Sequence, residues 1–251
     1  MSCDADEPAE RELPDLPGGT FRLSSRARLG PRALDRFPGE TLFDRIARAV
    51  CRADCLPRKE LYESWEVARR VRRRFRGGRV VDLAGGHGLL AHLLLLLDDT
   101  SPGAIVVDRV QPPSAARLAS ALVDAWPRLA GRVTYETRDL AGLAVTPHDL
   151  VASVHACGPL TDEVLALAVA GAARVAVLPC CHDERRCDLG GLGGWMDVSL
   201  AVDATRAARL AAAGYRVTTQ TIAPGITPKA RLLLGEPGRG ADKTKRAHPL
   251  E

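Results

Sequence analysis

The run Arg79-Val-Val-Asp82-Leu-Ala84-Gly85-Gly86-His87-Gly88, followed by the apolar segment Leu89 to Leu97, decides how the rest of the chain is read. Two β-branched residues lead into Asp82, the backbone bends through three glycines, and a helix-length hydrophobic segment opens directly after. Glycines permit a tight bend and a close backbone approach because no Cβ stands in the way. The helix beyond them directs free N–H groups at whatever lies there. Such a turn is the natural ligand site at the end of the first strand of an open α/β sheet.

Downstream of the turn, strand and helix patterns alternate. Strands are expected at 79–84, 104–108, 132–137, 149–155 and 174–179, and helices at 88–98, 113–126 and 161–171. A helix at about 198–213 and strands near 215–222 and 229–235 close the pattern. Alternation of this kind gives an α/β fold, a mostly parallel sheet with helices on both faces. Pro224-Gly225 between the last two strands suits an antiparallel hairpin at one sheet edge. Thr161 reads as the N-cap of its helix, with Asp162 and Glu163 in the first turn, so these residues are structural in this reading.

Upstream, Leu42, Ile46 and Val50 mark one face of a helix from Gly39 to Ala53, and Pro57 opens a second that Gly77-Gly78 stops. These two helices, 39–76, form an N-terminal extension. Residues 1–38 have no sustained periodicity and are expected to be a mobile or draped arm; the domain proper spans 77–236, and 237–251 reads as a disordered tail. Arg69, Arg70, Arg72, Arg73, Arg74 and Arg76 crowd the end of the second helix and repel one another unless an anion or carboxylates neutralise them. A solvated helix face and a nucleic-acid surface both account for them, although the run lacks interleaved aromatics for base stacking.

The bulk numbers fit one domain plus an extension. The 251 residues are 46% hydrophobic but only 4% aromatic, so the core is Leu, Val and Ala, and the net charge is +4. The acidic start lacks a secretory h-region, and no apolar run is long enough to span a bilayer. Seven cysteines, an odd number, do not look like a disulfide framework. A cytoplasmic protein with reduced thiols is expected, with no membrane partner; the oligomeric state is not legible.

Asp108 ends the second expected strand, where an acid can accept both hydroxyls of a ribose. Asp139-Leu140 follows the third, where a carboxylate can take an adenine amino group. With these in place the chain resembles the Rossmann-like S-adenosylmethionine-dependent methyltransferases over residues 57–236. The resemblance implies a seven-stranded, mostly parallel sheet with an antiparallel last strand and S-adenosylmethionine as cofactor. It implies a cofactor site of Asp82, Ala84, Gly85, Gly86, Gly88, Asp108, Asp139, Leu140 and His155. The family usually has Gly where Ala84 stands. A dinucleotide site is the competing assignment, less favoured because no second domain for a hydride acceptor is read here.

His155-Ala-Cys157-Gly158, Leu160-Thr-Asp162 and Pro179-Cys180-Cys181-His182 narrow the resemblance. They look like the branch that includes a tRNA ribose 2′-O-methyltransferase and methyltransferase-like proteins, although that tRNA enzyme's zinc-finger region has no counterpart here. RNA is therefore the leading acceptor class, with a small-molecule or protein methyltransferase, or a non-catalytic cofactor-binding scaffold, as alternatives. His155, at the end of the fourth strand, is the first candidate for handling an acceptor proton, and His182 the second. Cys157, Gly158, Pro179, Cys180 and Cys181 are expected to line the substrate pocket, without a metal, and Arg69, Arg70 and Arg73 to contact RNA. His92, inside an apolar helix, reads as a hydrogen-bonded core histidine.

Overall fold

A computed structural model of the chain describes residues 21–228 and 230–238. Along it run α1 (Leu42–Ala53), α2 (Arg58–Arg74), β1 (Val80–Leu83), α3 (Leu89–Leu96), β2 (Ala104–Asp108), α4 (Ala115–Ala125) and β3 (Val133–Thr137). β4 (Leu150–Ser153), α5 (Leu160–Ala170), β5 (Arg174–Val177), α6 (Val198–Ala212), β6 (Tyr215–Thr221) and β7 (Arg231–Pro237) follow. The strands form one seven-stranded sheet in the order β3-β2-β1-β4-β5-β7-β6, and β7 alone runs antiparallel to its neighbours. The closing hairpin lies at the sheet edge, with β7 on the inside. Leu232, Leu233 and Leu234 explain the order: they are buried on both faces of β7, whereas β6 exposes Arg216, Thr219 and Thr221.

Successive strand residues serve opposite faces, as the period of two requires. Val80, Val106, Leu150 and Ala152 join Ile46, Leu61, Leu93 and Leu118 from α1 to α4 in one buried cluster. Val81, Leu83, Val107 and Val151 join Val164 and Leu165 of α5 and Leu210 of α6 in the other. The sheet is thus the middle of three layers, and α1 and α2 supply part of one outer layer. α3 is buried at every position, and His92 within it bonds to the Gly88 carbonyl at 2.7 Å, the satisfied core histidine that was expected.

Residues 21–38 drape over the first two helices. Leu29 N donates to Leu56 O and Arg58 N to Ala27 O, and Leu29 and Phe37 are buried. A short 3-10 helix at Pro31–Arg36 lies within the stretch expected to be a mobile or draped arm; residues 1–20 and 239–251 lie outside the described residues. β7 runs through Pro237, one residue into the stretch assigned to the tail. α1 begins after Thr41, whose hydroxyl accepts from Asp44 N at 3.1 Å, rather than at Gly39. Thr161 is not the cap of α5: it sits inside the first turn, buried, and its hydroxyl donates to Ala156 O.

The arginine cluster at the end of α2 is neutralised mostly from within. Arg69 and Arg70 both pair with Glu66, Arg74 with Glu236, and the buried Arg72 with Asp98 at 3.1 Å while donating to Leu94 O and Ser101 Oγ. Desolvation pulls the Arg72 guanidinium down to about 10. Arg76 also reaches Leu97 O. Asp98, Leu97 and Ser101 lie between the C-terminal end of α3 and the start of β2, at the pole of the sheet opposite the glycine turn. Arg73 is exposed and has no carboxylate partner among the described residues. Among those residues no helix is long and apolar enough to cross a membrane.

Candidate active site

The glycine turn needs its glycines for two different reasons. Gly86 and Gly88 have positive φ, +51° and +74°, in the left-handed region that disfavours side chains. At Gly88 a Cβ would also stand 2.6 Å from the Tyr135 hydroxyl, and at Gly85 2.7 Å from Val106 Cγ1. Ala84 itself adopts φ +52°, at about 1 kcal/mol. The turn therefore accommodates alanine at a position where the resemblance implied glycine. Tyr135 locks the turn by donating to His87 O at 2.7 Å, and His87 Nε2 lies 2.8 Å from Ser114 Oγ.

Two carboxylates are fixed to this turn. Asp82 is buried at the end of β1, and its Oδ2 accepts from Ala91 N, in the first turn of α3, at 3.1 Å. Asp108 Oδ2 accepts from Gly86 N at 2.9 Å and its Oδ1 from Val110 N at 3.5 Å. A cavity of about 430 Å³ opens beside them, lined by Glu60, Ser64, Asp82, Ala84, Gly85, Gly86, His87, Asp108, Val154 and His155 among others. A second, of about 210 Å³, is lined by Asp108, Arg109, Arg138, Asp139, Leu140 and Glu163. The two meet at Ala84, Asp108 and Leu160.

The charge of the larger cavity is one-sided. Its carboxylates are Glu60, Asp82 and Asp108, and among the described residues no Lys or Arg lines it. At the helix terminus that would serve a phosphate, the Ala91 amide is already taken by the Asp82 carboxylate. A pyrophosphate would meet three acids and an occupied helix end, whereas a cationic ligand meets complementary charge. Glu60 and Ser64 come from α2, far from any strand end; nothing local in the sequence marks them as site residues.

Burial pushes the Asp82 carboxyl up to about 7, and burial together with neighbouring Glu63 pushes Glu60 up to about 7. In the unfolded chain both titrate near pH ~4, so the fold binds these protons more tightly. Their contribution to stability is full below that unfolded value and lost as pH rises through the folded one. The ligand-free protein should therefore melt at falling temperatures between about pH 5 and pH 8. Asp82→Asn, which cannot ionise, should flatten that slope; parallel pH profiles for variant and parent would refute the assignment.

At the rim, His155 follows β4, lines the cavity and is half-buried. Desolvation, then the nearby Lys59 charge, pulls its imidazole down to about 4, so the ring is neutral at physiological pH. Gly158 N ties the two rim segments together by donating to Cys181 O at 3.1 Å, and the first segment is held on β4 by Ala156 N donating to Ser153 Oγ at 3.1 Å. The buried Arg206 braces that segment from α6, donating to Gly158 O at 2.8 Å and to both oxygens of Asp162 at 2.8 and 3.0 Å. Cys157 Sγ and Cys180 Sγ lie 2.6 Å apart, and Cys180 Sγ and Cys181 Sγ 3.8 Å apart.

His182 is placed differently from His155. Its side chain is 4% exposed and bonds through Nε2 to Asp203 at 2.8 Å; Asp203 in turn pairs with Arg231 at 2.7 Å. It is held in an ion network against α6 and is not among the residues lining the acidic cavity, so its expected proton-transfer role has no support from position. Pro179 lines a third cavity, of about 390 Å³, between α6 and the β6–β7 hairpin. Cys157, Gly158, Cys180 and Cys181 form the rim beyond His155 rather than the cofactor cavity wall.

The sequence matches the family model described as a methyltransferase domain over residues 59–187, just over half of the chain. The chain belongs to that family. It is an S-adenosylmethionine-dependent methyltransferase domain, and S-adenosylmethionine, with its sulfonium and ammonium groups, has the charge that the acidic cavity suits. No curated protein matches the sequence. Among solved structures, an O-methyltransferase family protein from Burkholderia thailandensis is 21% identical, with a TM-score of 0.48 over 87% of this chain and 66% of that one. The B. subtilis tRNA methyltransferase TrmK is 16% identical, with a TM-score of 0.47 over 69% of this chain and 66% of that one. This methyltransferase domain thus spans 66% of the length of each of these two proteins.

Proposed function

We propose that the domain methylates RNA at a nucleophile held over the rim formed by residues 155–158 and 179–182. When bound, S-adenosylmethionine supplies a methyl group already activated on a sulfonium. The chain's own part is then mainly to bind and to orient. Gly85, Gly86 and Gly88 let the backbone approach the methionine end, and the acids of the cavity offset the cofactor's positive charge. Asp108, already pinned by Gly86 N, has lone pairs left for a ribose diol, and Asp139 and Leu140 flank the adenine side. His155 is neutral but too weakly basic to strip a hydroxyl by itself; it orients the acceptor by accepting its hydrogen bond, and the proton leaves to solvent as the methyl transfers.

The observation that carries the RNA reading is the loop after His182. It presents Arg185 and Arg186, both exposed, and Trp195, 86% exposed, on a segment continuous with the rim. Guanidinium groups and an open indole are what backbone neutralisation and base stacking need. The arginines of α2 support it less than their number implies, since Arg69 and Arg70 are paired with Glu66, and Arg73 is the exposed one with no carboxylate partner among the described residues. RNA affinity should fall steeply with added salt. Arg185→Ala with Arg186→Ala should weaken it and reduce the salt slope, and Trp195→Ala should cost roughly 5- to 100-fold. Filter binding with total RNA checks this, alongside transfer of labelled methyl from the cofactor into a fractionated lysate. Label entering only small molecules or protein would turn the assignment to those acceptors.

A further inference from the structure

Three sulfurs converge at the rim from two separate loops. Cys157 follows β4, Cys180 and Cys181 follow β5, and their Sγ atoms all lie within 4.8 Å of one another. We propose that Cys157, Cys180 and Cys181 bind one soft divalent metal ion, zinc being the natural occupant, through three thiolates that leave a fourth position open. Adjacent cysteines usually point apart and chelate poorly. Here the turn at Cys180-Cys181 places both sulfurs on one side, 3.8 Å apart. A tetrahedral ion with bonds of about 2.3 Å holds its sulfurs at roughly that spacing. Cys157 lies 2.6 Å from Cys180 and needs to withdraw by about 1 Å to fit the same geometry.

The surroundings favour a ligand set over packing thiols. All three residues are half-buried rather than sealed in a core, unlike Cys51, which is fully buried among α1 and α2 side chains. The loops that carry them are joined by the Gly158–Cys181 backbone bond and braced by Arg206 on Gly158 O. Cys187 is excluded as a fourth ligand because its sulfur is buried against the Arg206 guanidinium at 3.7 Å. Three protein thiolates with an open position is the coordination of a catalytic rather than a structural zinc site. Metal binding releases the thiol protons to solvent. The open position would take water, or a nucleophilic atom of an acceptor laid across the rim.

The full chain, purified with a thiol reductant and no chelator, should carry about one zinc per molecule by mass spectrometry of metals. Cobalt loading of the wild-type protein should give the intense near-ultraviolet band of thiolate-to-cobalt charge transfer. Zinc should be lost in Cys157→Ser, Cys180→Ser and Cys181→Ser and retained in Cys51→Ser, with circular dichroism reporting the fold of each. Absence of zinc after reconstitution, a cobalt spectrum without charge transfer, or zinc kept in the variant lacking all three thiols would overturn the proposal. So would full reactivity of the three thiols toward a thiol reagent in the presence of excess zinc.

Discussion

Asp108→Ala should cost the domain its cofactor. The Asp108 carboxylate stands where the two cavities meet, and backbone donors at Gly86 and Val110 fix its orientation before any ligand arrives. Two hydrogen bonds from a ribose diol to a carboxylate contribute about 1.5–3 kcal/mol each, so affinity should fall by a factor of at least ~100. Calorimetry with S-adenosylhomocysteine reads the change directly. Thermal stability should move little, because the turn keeps its Tyr135 lock and its glycine geometry. An unaltered dissociation constant would remove Asp108 from the cofactor site and weaken the family-based reading of the cavity as a whole.

Arg206→Ala should damage the acceptor side and leave the cofactor side largely intact. The Arg206 guanidinium is 1% exposed and joins α6 to the first rim loop at Gly158 and to the start of α5 at Asp162. Removing one partner of a buried ion pair costs about 3–5 kcal/mol; the Asp162 side chain is 34% exposed, so the lower figure applies. At 2–4 °C per kcal/mol for a domain of this size, the melting temperature should drop by roughly 10 °C. Below that temperature, S-adenosylhomocysteine affinity should stay within a few-fold of the parent while methyl transfer falls by an order of magnitude or more. Equal losses in binding and turnover would mean that Arg206 supports the whole domain rather than the rim.

Much of the architecture was legible because its causes are local. The β-branched run into Asp82, the glycines at 85, 86 and 88, and the leucine-rich stretch of α3 each dictate conformation over a few residues, and all three stand in the fold as read. Asp108 at the end of β2 and His155 just beyond β4 follow from the same alternation, which is why both fall on one rim. The remainder depends on contacts distant in sequence. Nothing near Arg72 announces Asp98, and nothing near Arg74 announces Glu236, so the arginine cluster read as exposed charge when it is mostly internal pairing. Glu60 enters the cavity only because α2 folds back along α3, and the three rim sulfurs meet only because β4 and β5 are neighbours. His182 followed a motif that looked catalytic, but Asp203, 21 residues on, captures its ring.

The place of β7 bears on how the chain is made. β1 to β4, with the turn and both carboxylates, are complete in sequence well before β7, so the cofactor half of the sheet can assemble while synthesis continues. β5 cannot finish so early, because its second neighbour is the last strand of the sheet. Until residues 231–237 emerge from the ribosome, β5 presents an open strand edge beside the Cys180-Cys181 turn, of the kind that templates aggregation. In a protein built in this order β5 waits for β7, and truncation before Arg231 should yield insoluble chains even though every cofactor residue is present.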